Sequence, residues 1–283
     1  MPRPTMPDIR LITLDLDDTL LNSDKRISAG NEAALRRAAE AGVEVVPASG
    51  RFYDAFPEPV RRLDFVNYVI AVNGAEIRDL RTGETIARAE LPLAQALEVM
   101  AYLDTLPVIY DCYMGGWGWM TEALQNRAGE FAPNEHYRLM LLEKRSPVPE
   151  LKAFLREKGR DVQKIQLFVQ PPEMKPALME ELRRRFPALI VTSSISNNIE
   201  INAPAADKGT ALGTLAAHLG FTSAQTMAFG DQLNDLSMIT AAGVGVAMGN
   251  AVPELKAAAD YVTADCNADG VAAAVLKFCF QEE

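Results

Sequence analysis

Short apolar runs alternate with amphipathic segments of helical spacing at the start of the chain. Residues 9–14 form a β-rich run that ends in carboxylates, and residues 43–48 and 68–72 form two more such runs. Between the first two, Ser28 is suited to cap a helix that ends near Gly42. Strand, helix and strand at this spacing predict right-handed crossovers and a parallel sheet.

The last part of the chain repeats this alternation. Both chain ends are therefore expected to build one α/β core. Helices are predicted for residues 207–219, 233–242, 252–259 and 270–280, and buried strands for residues 226–229 and 244–248.

The middle of the chain follows a different pattern. We predict an inserted α/β domain at residues 84–197, within a core formed by residues 1–83 and 198–283. The predicted elements here are a hairpin around Thr82-Gly83, a helix at 93–103, an aromatic and glycine-rich stretch at 110–119, and two helix–strand pairs, 148–158 with 164–169 and 173–186 with 189–194.

Three carboxylates, Asp15, Asp17 and Asp18, come directly after the first predicted strand. Open α/β sheets bind ligands at the carboxyl ends of their strands. Acids that converge there repel each other and need a cation, and Mg²⁺ prefers such hard oxygen ligands. Taken alone, the segment is also consistent with an acidic turn before a helix, capped by Thr19.

A second acidic group follows another predicted strand far along the chain. Asp231 and Asp235 come after residues 226–229, and Gly230 permits a tight backbone between them. Helix capping by Asp231 would explain one such group. Two groups at the ends of core strands favour a shared site.

Two further segments are suited to hold an anion. Lys208 opens a predicted helix, where backbone N–H groups also favour negative charge. Ser49-Gly50-Arg51 follows the second strand, where a hydroxyl and N–H groups can hold phosphate oxygens. Taken alone, Lys208 is more typical of a charged residue on the solvated surface. Taken alone, Ser49 is more typical of a simple turn.

These segments together resemble the four motifs of the haloacid dehalogenase (HAD) superfamily, in the family's order. The chain resembles in particular the Cof-like subfamily IIB of phosphatases, whose α/β cap is inserted where the middle domain is predicted. Asp18 occupies a position that is often glycine in the family, and we expect this turn not to require glycine. The matching motifs are Asp15-Leu16-Asp17-Asp18-Thr19-Leu20-Leu21, Ala48-Ser49-Gly50-Arg51, Lys208-Gly209 and Gly230-Asp231-Gln232-Leu233-Asn234-Asp235.

The resemblance implies a role for each core residue. Asp15 would be the nucleophile that forms an aspartyl-phosphate, and Asp17 would act first as acid and then as base. The Asp15 carboxylate, the Asp17 backbone carbonyl and Asp231 would bind Mg²⁺, with Asp235 a further ligand or an acid that supports one. Lys208 would also orient Asp15. The residues expected to hold the phosphoryl group are Ser49, Gly50, Lys208 and Asn234.

The aromatic stretch of the predicted cap offers candidates for contact with the leaving group. They are Tyr113, Trp117 and Trp119, on a loop that its glycines would make mobile. A place in the cap's own core, together with a hairpin turn, explains each single aromatic as well. His136 is assigned a structural role, because the motifs already supply an acid and a base.

Composition narrows the class of protein. The chain has 283 residues, 48% hydrophobic and 23% charged, which is typical of a globular protein of two domains. Its net charge of −10 argues against nucleic acid or an anionic membrane as a partner.

No run approaches the ~18 apolar residues of a membrane helix, and Met1–Asp8 lacks the apolar stretch of a signal peptide. Three cysteines without metal-ligand spacing favour reduced thiols and a cytoplasmic location.

The expected activity is that of a Mg²⁺-dependent phosphatase acting on phosphomonoesters of small metabolites. The resemblance implies sugar phosphates or phosphorylated cofactors as substrates. One alternative is a phosphomutase of the same superfamily, which would isomerise its substrate instead of releasing phosphate. Another is a phosphate- or Mg²⁺-sensing binding protein, against which Asp17 argues, since binding alone has no use for a second acid.

Overall fold

The computed structural model describes residues 8–282, which form two compact units. One unit takes its residues from Met1–Gly50, Phe56–Ala87 and Asp207–Glu283, and the other from Arg51–Ala55 and Arg88–Ala206. Apart from Asp8, the N-terminal segment considered for a signal peptide lies outside the described residues.

Strands and helices alternate along most of the chain. The strands are β1 (Leu11–Leu14), β2 (Glu44–Pro47), β3 (Tyr68–Ala71), β4 (Glu76–Asp79), β5 (Thr85–Arg88), β6 (Ile109–Met114), β7 (Trp117–Thr121), β8 (Arg145–Val148), β9 (Lys164–Phe168), β10 (Ile190–Thr192), β11 (Asn198–Asn202), β12 (Thr226–Gly230), β13 (Val244–Ala247) and β14 (Tyr261–Val262). The α-helices are α1 (Ala29–Glu40), α2 (Glu58–Arg61), α3 (Leu93–Leu103), α4 (Glu122–Gln125), α5 (Ala128–Phe131), α6 (Glu135–Glu143), α7 (Leu151–Lys158), α8 (Lys175–Arg185), α9 (Lys208–His218), α10 (Leu236–Ala241), α11 (Pro253–Ala258) and α12 (Gly270–Phe280).

The first unit is built on a five-stranded parallel sheet in the order β14-β13-β12-β1-β2. From β1 the chain moves to β2 on one side, and the later strands β12 to β14 extend the other side. The strand order therefore reverses between β1 and β12, which is where doubly wound sheets bind ligands. The α/β fold with a parallel core sheet, predicted from the alternating pattern, is confirmed.

Capping residues fix the ends of the helices in this unit. The Ser28 side chain accepts a hydrogen bond from Asn31 N at the start of α1, and Gly42, with φ of +87°, follows its end. Asp207 accepts a hydrogen bond from Thr210 N and so caps α9.

The β3–β4 hairpin continues with β5 in a separate three-stranded sheet.

The second unit contains a six-stranded sheet in the order β10-β11-β9-β6-β7-β8. Its described pairings are antiparallel except for β7 with β8. The predicted division assigned residues 198–202 to the core, whereas β11 hydrogen-bonds with β9 and β10 in this sheet. The domain boundaries as such stay a prediction.

Three features of this unit bear on the sequence prediction. Residues 110–119 form most of the β6–β7 hairpin, turned at Gly115 and Gly116, which agrees with the packed-hairpin alternative and not with the mobile loop. Gly118 lies inside β7, where a Cβ would be 2.2 Å from Cδ of Arg145. The glycine therefore makes room for a packed side chain. The helices α4, α5 and α6 were not predicted from the sequence.

Two findings bear on the environment of the protein. In the range 8–282, no helix has both the length and the apolar character needed to cross a membrane. All three cysteines are free thiols, two of them buried.

Candidate active site

Three of the predicted site residues lie at the carboxyl ends of neighbouring strands. Asp15 follows β1, Ser49 lies just beyond β2, and Asp231 follows β12. The ladder continues past the strand ends, since Asp15 N donates to Phe229 O at 3.0 Å and Ala48 N donates to Leu14 O at 2.7 Å. The parallel register thus brings the side chains that follow β1 and β12 to one edge of the sheet.

Lys208 lies among the acids at this edge. Its Nζ is 2.5 Å from Asp15 Oδ1 and 2.6 Å from Asp235 Oδ1, and its side chain is fully buried. As the first residue of α9, Lys208 is held by the same turn that Asp207 caps. A buried ammonium with two carboxylate partners is a fixed positive charge for an anionic ligand.

Asp231 and Asp235 are held by the loop after β12. Asp235 Oδ2 accepts hydrogen bonds from the backbone N–H groups of Asp231 and Gln232, both at 3.0 Å. Asp231 in turn accepts from Thr19 Oγ1 at 2.9 Å and from Gln232 Nε2 at 3.1 Å. Gly230 allows this loop to fold closely, because a Cβ there would lie 2.4 Å from Cβ of Asp235.

Burial perturbs the acid–base properties of this cluster. Loss of solvation raises the pKa of Asp231 to about 7, with the charge of Asp235 adding to the effect. Burial also raises the pKa of Asp15 well above its ordinary value, although Lys208 opposes the shift. Burial alone would lower the pKa of Lys208, but Asp15 and Asp235 raise it above the usual range. The site therefore favours an added positive charge.

The carboxylates fit a divalent cation. Asp15, Asp231 and Asp235 each offer an oxygen within 4.8 Å of the others, and all three residues are buried. Mg²⁺ is a hard cation that takes such oxygen ligands. Burial raises the pKa values of Asp15 and Asp231, and a bound cation would favour their ionised forms.

The side chains of Asp17 and Asp18 pair with a different cation, Lys25. The Nζ of Lys25 lies 3.2 Å from Oδ1 of Asp17 and 3.2 Å from Oδ1 of Asp18. Asp18 has a φ of +60°, in the left-handed region that favours glycine. The turn therefore has the backbone conformation that glycine favours, yet it accommodates aspartate, in line with the expectation that glycine is not required. Aspartate is tolerated here because it adopts this region more readily than most residues.

The predicted phosphate-binding residues are linked through Asn73. Asn73 N donates to Ser49 O at 2.9 Å, and Asn234 Nδ2 donates to Asn73 Oδ1 at 3.3 Å. Ser49 and Asn234 are both buried, and Gly50 is partly exposed. Asn73 itself has a φ of +55°, so its backbone is held in a turn. This turn connects two of the predicted anion-binding segments.

The three aromatic candidates lie within the second unit. Tyr113 is buried, and its hydroxyl accepts a hydrogen bond from Arg145 Nη2 at 2.6 Å. Trp117 donates through Nε1 to Ser146 Oγ at 3.0 Å. Trp119 donates to Met114 O at 3.1 Å and packs its ring on Phe154. Each aromatic residue thus has a packing role in its own unit.

Sequence reasoning assigned no site role to three residues that support these groups. Thr19 holds Asp231, Lys25 pairs with Asp17, and Asn250 Nδ2 donates to Asp18 O at 2.7 Å. Thr19 was considered only as a helix cap and as part of the first motif. The partners of Thr19 and Asn250 are more than 200 positions away, so no local pattern could identify them.

Comparisons with known proteins agree with the geometry. Residues 12–275 match the family described as haloacid dehalogenase-like hydrolase. The chain is 33% identical over 270 residues to the 5-amino-6-(5-phospho-D-ribitylamino)uracil phosphatase YcsE of Bacillus subtilis, covering 95% of each protein. It is 33% identical over 255 residues to the HMP-PP phosphatase of Serratia proteamaculans, covering 87% of this chain and 86% of that one.

A solved structure extends the similarity to the fold. A haloacid dehalogenase-like hydrolase from B. subtilis superposes with a TM-score of 0.81 at 30% identity, over 94% of this chain and 99% of that one. Sequence, fold and the acidic cluster at the strand ends therefore agree. The chain belongs to the haloacid dehalogenase-like hydrolase family, and it is a phosphatase of that family.

Proposed function

We propose that this chain hydrolyses phosphomonoesters of small metabolites through an aspartyl-phosphate on Asp15. The main support is the buried contact of Asp15 with Lys208, 2.5 Å long, beside Asp231 and Asp235 at the end of β1. A carboxylate held by an ammonium next to a cation site is equipped to attack an anionic phosphate, because charge repulsion is neutralised in advance.

The proposed reaction consists of two displacements at phosphorus. In the first, a carboxylate oxygen of Asp15 attacks, the bond from phosphorus to the ester oxygen breaks, and Asp17 gives its proton to the departing oxygen. In the second, the Asp17 carboxylate takes a proton from water, and the water oxygen attacks phosphorus and displaces Asp15. The products are an alcohol and inorganic phosphate, with both aspartates restored.

The ligands proposed for Mg²⁺ are the Asp15 carboxylate, the Asp17 backbone carbonyl and Asp231. Asp235 orients Asp231, since its oxygens accept from Lys208 and from two backbone N–H groups. When bound, the ion would neutralise the acids and stabilise charge on the transferring phosphoryl group. The residues proposed to hold that group are Ser49, Gly50, Lys208 and Asn234.

The names of the similar proteins support the proposed substrate class. Their names specify a phosphorylated ribitylaminouracil and HMP-PP, both small phosphorylated metabolites. For this chain we propose sugar phosphates or phosphorylated cofactors, acted on in the cytoplasm without nucleic acid or membrane. Choice of the leaving group is assigned to the inserted unit, with Tyr113, Trp117 and Trp119 as candidates.

A phosphate-release screen tests the proposed function. The purified protein is incubated with a panel of phosphorylated metabolites and Mg²⁺, and inorganic phosphate and remaining ester are both measured. We expect one phosphate for each ester consumed, with activity lost in excess chelator and restored by Mg²⁺. An isomerised ester without phosphate would indicate a mutase, and a long-lived phosphoenzyme without turnover would indicate a sensor.

A further inference from the structure

Lys25 lies in a rigid turn that follows the Asp15–Asp18 segment. The turn is closed by Asn22 N donating to Arg26 O and by Lys25 N donating to Asn22 O, both at 2.9 Å. The Asn22 side chain also accepts from the N–H groups of Asp24 and Arg26. Lys25 itself has a φ of +58°, so its backbone adopts a conformation that lysine rarely takes. The start of this side chain is therefore fixed, unlike that of an ordinary surface lysine.

The side chain of Lys25 folds back onto two carboxylates. Its Nζ is 3.2 Å from Oδ1 of Asp17 and equally far from Oδ1 of Asp18, and 32% of the side chain is exposed. Asp17 and Asp18 are adjacent like charges, which would push each other apart without a shared cation. One ammonium held by two acids restrains each acid more than a single exposed ion pair does.

The position of Asp18 is fixed from its other side. Asn250 Nδ2 donates to Asp18 O at 2.7 Å, while Asn250 Oδ1 accepts from Cys266 N at 3.0 Å. This anchors the left-handed backbone at Asp18, which turns its carboxylate toward Lys25. A glycine at this position could supply no such partner, so the Asp18 side chain is what gives Lys25 its second carboxylate.

We propose that Lys25 is a positioning residue that holds the Asp17 carboxylate in place for proton transfer, with Asp18 as its anchor. This inference rests on the proposed function, in which Asp17 protonates the departing oxygen. An alkyl ester needs that proton, because an alkoxide is a poor leaving group. A p-nitrophenyl ester needs it far less, because nitrophenolate is a stable anion. Loss of Lys25 should therefore affect the two esters unequally.

The test compares Lys25→Met with wild type on an alkyl phosphate, glycerol 2-phosphate, and on p-nitrophenyl phosphate. We expect kcat for the alkyl ester to fall about 10–100-fold, the range of a misplaced general acid, with KM changed less than about threefold. For the nitrophenyl ester kcat should fall less than about threefold. Lys25→Arg should restore most of the alkyl-ester activity, because it keeps the charge.

Two variants of the same segment serve as controls. Arg26→Met removes the neighbouring exposed cation and should keep wild-type kcat on both esters. Asp18→Asn removes one of the two carboxylates that hold Lys25. Its kcat on the alkyl ester should fall less than that of Lys25→Met, again with a much smaller effect on the nitrophenyl ester. Melting temperatures confirm folding, and Lys25→Gln replaces Lys25→Met if the latter is unstable. Equal losses on both esters, or none, would overturn the inference. Failure of the proposed function would look different, since wild type would then release no phosphate from either ester.

Discussion

Lys208 shows at the scale of one residue how the site balances its charges. Its ammonium is fully buried between Asp15 and Asp235, whereas a third acid, Asp231, accepts hydrogen bonds from Thr19 and Gln232. One cation thus faces three buried carboxylates. Burial is the main cause of the raised pKa values of Asp15 and Asp231, the neighbouring acids add to it, and a second cation bound here would favour the ionised carboxylates.

Binding of Mg²⁺ should depend on pH through Asp231. Its folded-state pKa, about 7, lies above the ordinary value of 3.8, so its contribution to stability is present below that ordinary value and lost as pH rises through 7. The cation competes with this proton, so affinity should increase as pH rises. We expect Mg²⁺ to raise the melting temperature more at about pH 8 than at about pH 6. In Asp231→Asn the difference should shrink, and an unchanged difference would contradict the role of this carboxyl.

Among the elements of both units, the register of paired strands determines which side chains become neighbours. In the first unit, the pairing of β1 with β12 places Asp15 beside Asp231. In the second, cross-strand neighbours on one face include Tyr113 with Lys164 and Asp111 with Gln166. Arg145 reaches this face across Gly118 and pairs with Asp111 at 2.9 Å, both side chains being fully buried.

Breaking this buried ion pair should destabilise the protein strongly. Arg145→Met leaves Asp111 buried without its partner, which costs roughly 3–5 kcal/mol of unfolding free energy. Burial already raises the pKa of Asp111, so the variant should recover part of this loss at low pH, where the acid is protonated. Urea unfolding of the full chain measures the effect. The matched double variant, Arg145→Met with Asp111→Asn, should be less destabilised than Arg145→Met alone; an equal or greater loss would contradict the argument.

Most of the first unit could be predicted from sequence because its elements have strong local signals. Apolar runs mark its strands, and the caps at Ser28 and Asp207 mark two helix starts. The grouping of Asp15, Lys208 and Asp231 follows once parallel pairing is assumed. By contrast, the left-handed backbone at Asp18 and the contacts of Lys25 depend on distant residues such as Asn250. For the aromatic stretch 110–119 the sequence left a mobile loop and a packed hairpin both open, because glycines serve close packing as well as flexibility.

At the scale of the whole molecule, the chain divides into a unit with the acidic cluster and a unit inserted into it. The acids and Lys208 of the first unit suit the phosphoryl group that all phosphomonoesters share. They have no evident means of distinguishing one alcohol from another. Selectivity is therefore expected to depend on the inserted unit.

Excision of residues 88–206, with a short glycine-rich linker from Ala87 to Asp207, tests whether substrate selectivity depends on the inserted unit. The remaining unit should still bind Mg²⁺ and hydrolyse p-nitrophenyl phosphate slowly. Ratios of kcat/KM among natural phosphate esters should collapse toward one, because the groups that select the alcohol are gone. Circular dichroism and Mg²⁺ titration establish that the shortened chain is folded. A wild-type ranking of substrates in that chain would show that selectivity resides elsewhere.

The proposed reaction depends above all on transfer of the phosphoryl group to Asp15 during turnover. The most direct measurement is a rapid acid quench of the enzyme with its best substrate and Mg²⁺, followed by peptide mass analysis. We predict one phosphoryl group on the peptide that contains Asp15, formed and lost at rates compatible with kcat. Asp15→Asn should show neither the label nor turnover above about one thousandth of wild type, while keeping its melting temperature within a few degrees. Turnover without any label on Asp15, or an active Asp15→Asn enzyme, would contradict the account.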